Sequence, residues 1–135
     1  MKPNILFLFA DQHRHDILGC AGHPLIQTPH IDAIASEGVR FTKTWCQSPI
    51  CQPSRASVIT GRYAHEIGVI HNTGGFDADW PTVMKQLQAV GYETATIGKT
   101  HYHESYRPPK EDGDIDMRSN EGFVKSFGWD YVLEE

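Results

Sequence analysis

A chain of 135 residues, 39% hydrophobic and 21% charged, is long enough for one modest domain with a real core. Its net charge of −5, with no basic block, excludes nucleic acid as the main partner while leaving room for a small anion held by local cations. No apolar run is long enough to span a bilayer, and Cys20, Cys46 and Cys51 form neither a disulfide framework nor a zinc pattern.

Met1-Lys2-Pro3 leads directly into Asn4–Ala10, a run apolar on both faces that predicts a buried parallel strand. This leaves no room for a signal peptide, so the chain as written reads as cytoplasmic or already processed. The strand's carboxyl end carries the polar cluster Asp11-Gln12-His13-Arg14-His15-Asp16, and open α/β sheets bind ligands outside the carboxyl ends of their strands. His13 and His15 alternate in direction along an extended segment and read as rim or surface residues. Thr28–Gly38 predicts a helix, with Thr28 as cap, Pro29 in the first turn, an apolar face of Ile31, Ile34 and Ala35, and Gly38 as stop. Val39–Trp45 alternates as a strand should, with Val39 and Phe41 on one side.

The chain then reaches Cys51-Gln52-Pro53-Ser54-Arg55, which reads as a loop turning into a helix, with Pro53 at the first helical position and Gly61 as stop. Cys51 would sit at the helix N-terminus among free N–H groups, where a thiolate or another anion is stabilised. Arg55 lies one turn on and can return its guanidinium toward the same point. Arg62–Val69 is a turn-rich exit, and His71–Gly75 is a polar loop whose composition alone does not assign it to a pocket. Pro81–Val90 predicts a second helix with a core stripe of Val83, Met84, Leu87 and Val90, ended by Gly91. Tyr92–Ile97 reads as a strand closing a βαβ-type pattern, with Gly98-Lys99-Thr100-His101 at its carboxyl end. Residues 102–122 form a long polar stretch without periodicity, expected to be a loop. Phe127–Leu133 looks like the start of another strand.

Several of these segments resemble one family. Cys51, Pro53, Ser54, Arg55, Ser57, Thr60 and Gly61 match the signature of type I sulfatases, in the alkaline-phosphatase-like superfamily. The Thr-Pro-His-Ile-Asp helix, the Gly-Val-Arg-Phe strand, Gly61-Arg62-Tyr63 with Gly68-Val69, and Gly128-Trp129-Asp130 follow in the family's order. Gly91-Tyr92, Thr94, Ile97-Gly98-Lys99 and His101 resemble its second signature, with Thr100 where an aromatic is usual.

The resemblance implies an α/β fold with a mostly parallel sheet flanked by helices, incomplete on the C-terminal side. Residues 1–135 would be the N-terminal portion of the catalytic domain. It also implies that Cys51 is oxidised to formylglycine by a formylglycine-generating or anaerobic sulfatase-maturing enzyme. Its hydrate would then attack sulfur with one hydroxyl and expel sulfate with the other. By resemblance, Cys51, Arg55, Lys99 and His101 are catalytic, and Lys99 and His101 also bind the substrate, a small-molecule or saccharide sulfate ester. Asp11, Gln12 and residue 51 would ligate a divalent metal, Ca²⁺ first, with Mn²⁺ or Mg²⁺ as alternatives. Gln12 departs from the family's usual acidic pair and resembles related phosphonate monoester and phosphodiester hydrolases. Those hydrolases are the rival reading, and a non-catalytic anion-binding fragment is a third.

Overall fold

The structure, a computed structural model, describes residues 2–73, 75–102 and 121–133. It divides into two compact units, Met1–Trp45 and Cys46–Glu135.

The first unit contains a 3₁₀ turn, Gly19–Ala21, and helix α1, Pro29–Glu37. Asp32, in the first turn of α1, ties the two together. Its Oδ1 accepts from the Thr28 hydroxyl and the Cys20 N–H, both at 2.8 Å, and Thr28 Oγ1 accepts from the Gly19 N–H at 2.9 Å. These donors, the Thr28 hydroxyl first, hold the Asp32 carboxyl below its ordinary pKa. Thr28 therefore acts through Asp32 and Gly19, because its side chain makes no capping bond to the helix N-terminus.

Two expected strands of this unit are absent. Among the described residues Asn4–Ala10 and Val39–Trp45 are not assigned to a sheet, and their apolar side chains are exposed, Leu6 to 82% and Trp45 to 78%. The Phe7 and Phe9 rings stack at 5.5 Å, as alternate residues of an extended backbone can. The reason for the difference is physical. A strand apolar on both faces becomes a buried strand only when neighbours supply both ladders and both covering layers, and its own unit supplies neither. Ile31 and Ile34 of α1 are exposed on the same grounds.

The second unit holds the core. Helix α2 spans Cys51–Thr60, α3 Val83–Ala89, β1 Ala95–Ile97, α4 Glu121–Lys125 and β2 Tyr131–Leu133. Ala56 and Ile59 of α2, Ile67, Val69, Phe76, Met84, Tyr102, Val124 and Phe127 form one buried apolar cluster. Cys51 is the first residue of α2 and Ile50 its N-cap, so Pro53 stands third rather than first. The first turn tolerates it there because no carbonyl inside the helix awaits its N–H. Gly61 ends α2 in the left-handed conformation at φ 67°, as expected.

Helix α3 begins two residues later than Pro81. Thr82 is its cap, accepting from the Lys85 N–H at 3.2 Å while its hydroxyl donates to the Phe127 carbonyl at 2.5 Å. Of the expected stripe only Met84 is fully buried, with Leu87 half-buried and Val83 and Val90 exposed. The helix lays a narrow edge, not a broad face, on this core. Helix α4 takes up Glu121 and Gly122 from the segment expected to be loop, while residues 103–120 lie outside those described.

Strands β1 and β2 pair in parallel, Ala95 with Tyr131, Thr96 with Val132 and Ile97 with Leu133. The Gly98 N–H extends the ladder to the Leu133 carbonyl at 2.7 Å. Both strands are shorter than their apolar runs, and Asp130 accounts for where they start. Its Oδ2 accepts from the Thr94 N–H at 2.7 Å and its Oδ1 from Gln88 Nε2 at 2.8 Å. The Thr94 hydroxyl lies 2.7 Å from the Gly128 carbonyl and 2.9 Å from Asp130 Oδ2. Gly128 is required here: at φ +101°, a Cβ would come within 2.8 Å of the Lys85 backbone nitrogen.

The Thr94 N–H, then Gln88, then the Thr94 hydroxyl hold the Asp130 pKa below its ordinary value. A depressed carboxylate pKa contributes stability that is complete above the unfolded value of about 3.9 and is lost as pH falls through the folded value. Acidification below about pH 4 is therefore expected to lower the melting temperature, and Asp130→Asn to flatten part of that dependence. Melts of both proteins between neutral and acid pH check this. An unchanged slope in Asp130→Asn would dissociate the carboxylate from the sheet.

Candidate functional site

Four of the six candidate residues belong to the second unit. Cys51 opens α2 and is half-buried, and like Cys20 and Cys46 it is not in a disulfide. Arg55, one turn along, is only 7% exposed, and its Nη1 donates to the Lys99 carbonyl oxygen. That bond joins α2 to the segment leaving the carboxyl end of β1, so two sequence signatures separated by more than forty residues meet at one point.

Lys99 itself is exposed. Thr100, His101 and Tyr102 turn inward, His101 to 9% exposure, and Tyr102 packs at 5.0 Å from the Phe127 ring. His101 thus stands on the core's edge with a buried imidazole, while the preceding lysine reaches solvent. An ammonium and an imidazole so placed suit charge stabilisation and proton transfer, respectively.

Asp11 and Gln12 belong to the first unit, at the end of the Asn4–Ala10 run, and both are exposed. Their backbone is informative. Gln12 and His101, each at φ 55°, are the two non-glycine residues with positive φ among those described. This left-handed conformation costs an ordinary residue about 1–2 kcal/mol and concentrates at functional positions. Both residues follow apolar runs, and both were singled out from sequence.

The helix tip departs from expectation in one respect. The Gln52 N–H is not open to an anion, because the side-chain Oδ1 of Asn72 accepts it at 3.0 Å. Pro53 has no N–H, and the Ser54 N–H closes onto the Ile50 carbonyl at 2.9 Å. Asn72 was not identified from sequence. Its signal was faint: a side-chain amide in a polar loop, the residue type that caps helix starts, but separated by twenty residues from the helix it serves.

No group of three or more His, Cys, Asp or Glu side chains that could hold a metal occurs among the described residues. Asp11 and Gln12 offer oxygen donors, the kind a hard divalent cation prefers, but only two of the six or so such an ion takes.

Comparison with known proteins places the chain in a family. The Sulfatase family model matches residues 3–135. An N-acetylglucosamine-6-O-sulfatase of Bacteroides thetaiotaomicron is 44% identical over 100 residues, covering 74% of this chain and 18% of that protein. A solved structure of a protein in complex with its substrate D-glucosamine-2-N,6-O-disulfate superposes with a TM-score of 0.73 at 42% identity, over 80% of this chain and 22% of that one. The phosphonate monoester hydrolase of Agrobacterium radiobacter gives a TM-score of 0.70 at 27% identity, over 93% and 24%. The chain spans about a fifth of the length of the proteins it matches. With both signatures joined at the Arg55–Lys99 bond and the family match running through residue 135, the chain belongs to the sulfatase family and has its alkaline-phosphatase-like α/β fold.

Proposed function

We propose that residues 1–135 are the nucleophile-bearing N-terminal portion of the catalytic domain of a sulfuric ester hydrolase, acting on a sulfated saccharide. One observation carries the reading: Cys51 and Arg55 on α2 are tied through the Lys99 carbonyl to the segment carrying Lys99 and His101. The saccharide substrate is supported by the relative's name as an N-acetylglucosamine-6-O-sulfatase and by the glucosamine disulfate bound in the structural neighbour.

In this reading Cys51 is the site of formylglycine formation, the modification that supplies the attacking oxygen. Arg55 holds negative charge near residue 51, with its guanidinium oriented by the Lys99 carbonyl. Lys99 binds the sulfate group, and His101 moves a proton at its imidazole. Asp11 and Gln12 would contribute oxygen donors to a divalent cation, Ca²⁺ in first place, that supplies further charge neutralisation when bound.

Co-expression with a formylglycine-generating enzyme, followed by mass analysis of the peptide containing Cys51, tests the reading. A mass about 18 Da lower, from exchange of a thiol for an aldehyde, is expected; an intact thiol in a competent host would remove its chemical basis. The likeness to a phosphonate monoester hydrolase and the Asp11-Gln12 pair favour a second reading, hydrolysis of phosphonate monoesters or phosphodiesters. Competition between an aryl sulfate and a phosphonate monoester in the full-length protein separates the two, and faster phosphonate turnover would replace the first reading with the second.

A further inference from the structure

An α-helix leaves its first few backbone N–H groups without acceptors inside the helix, and these are the donors with which a helix tip ordinarily holds an anion. At the start of α2 that supply is reduced twice: Pro53 has no N–H, and the Gln52 N–H is taken by the Asn72 side chain at 3.0 Å. The geometry gives this bond a firm base. The Gln52 side chain is fully buried. The segment bearing Asn72 runs between Val69 and Phe76, both in the same apolar cluster as Ala56 and Ile59 of α2. Loop ends and helix thus share one core, and the carboxamide is presented to the residue immediately after Cys51.

We propose that Asn72 is a positioning residue for the nucleophile, acting through the Gln52 amide. Its oxygen pins the first turn of α2 and withdraws a backbone donor from any oxyanion at residue 51. The anion is then left to side-chain cations, foremost Arg55 and Lys99. Arg55, held by its bond to the Lys99 carbonyl, then presents a charge already fixed in place to a tetrahedral oxyanion. This role deepens the hydrolase reading and rests on it for its catalytic meaning, but the coupling between Asn72 and residue 51 can be measured without it.

The probe is a pair of reagents of similar shape and different charge, iodoacetate and iodoacetamide, applied to the unconverted 135-residue chain and resolved by peptide mass. The ratio of the two alkylation rates at Cys51 reads the local preference for an anion, and the ratio at Cys20 is the internal reference. Asn72→Ala frees the Gln52 N–H and is expected to raise the Cys51 ratio about threefold. Asn72→Asp keeps an acceptor on that N–H but adds a negative charge, and is expected to lower it about tenfold. The Cys20 ratio should stay fixed in both.

A role confined to helix stability would shift melting temperatures and leave the ratio alone. Because an aspartate is favourable at a helix N-terminus, Asn72→Asp is the variant that keeps the test decisive if the alanine form does not fold. Folded Asn72→Asp with an unchanged Cys51 ratio, or with equal changes at Cys51 and Cys20, would overturn the proposal. Since neither conversion of Cys51 nor hydrolysis enters the readout, failure here leaves the hydrolase reading intact, and the reverse also holds.

Discussion

Phe127→Ala is expected to unfold the Cys46–Glu135 unit under conditions where the unsubstituted chain is folded. Phe127 is fully buried, and its ring lies 4.6 Å from Phe76, 5.0 Å from Tyr102 and 5.1 Å from Phe123. Truncating such a residue typically costs about 3–5 kcal/mol, the lost transfer energy plus the cavity left among rigid neighbours. A domain of this size has about 5–15 kcal/mol in total, so the loss removes much of the margin. The effect reaches the site because Tyr102 directly follows His101, and the ring that anchors it would lose its partner. Urea titration followed by near-ultraviolet circular dichroism reads the change. Phe123→Ala serves as comparison, since Phe123 is 37% exposed and loses less contact. A midpoint in Phe127→Ala no lower than that of Phe123→Ala would show that the core is not centred on Phe127.

Arg55→Ala carries the next largest effect. The buried guanidinium donates to the Lys99 carbonyl across two elements far apart in sequence. Its removal leaves a backbone acceptor without that donor, at about 1–3 kcal/mol. Arg55→Lys is expected to recover little, because a single ammonium on a flexible stem does not reproduce a planar fork of donors. Thermal melts of the three proteins test the structural part. On the proposed function, loss of a fixed charge-stabilising group is expected to reduce kcat about 10²–10³-fold in the full-length hydrolase. A lysine variant equal to the arginine in both stability and turnover would show that only the charge matters.

How far the sequence could be read depended on whether a feature was local. Helix α2 was legible because its start, its proline-bearing first turn and its terminating glycine lie within a dozen residues and obey rules of backbone geometry. The same holds for α1, for strands ending at Ile97 and Leu133, and for Lys99 and His101 at a strand's carboxyl end. Both signatures were legible in the sequence, and the structure joins Arg55 of the first to the Lys99 carbonyl of the second.

What eluded the sequence depended on partners distant in the chain. Asn4–Ala10 and Val39–Trp45 have the pattern of strands, but a strand is a property of a pair. Among the described residues neither run is part of a sheet, and their apolar side chains are exposed. The apolar stripe of α3 is similar, since periodicity states which face can be buried and packing decides how much of it is. Asn72 looked like any polar loop residue until folding set it against a helix twenty positions earlier. By itself, then, the sequence determined the family, the helix that opens at Cys51 and the residue types of the candidate site, because these rest on short-range geometry and chemistry. Only the tertiary structure decided which backbone donors at the helix tip are taken up, how Arg55 is aimed and where β1 and β2 begin. Each of those outcomes is set by a hydrogen bond between residues that no local pattern connects.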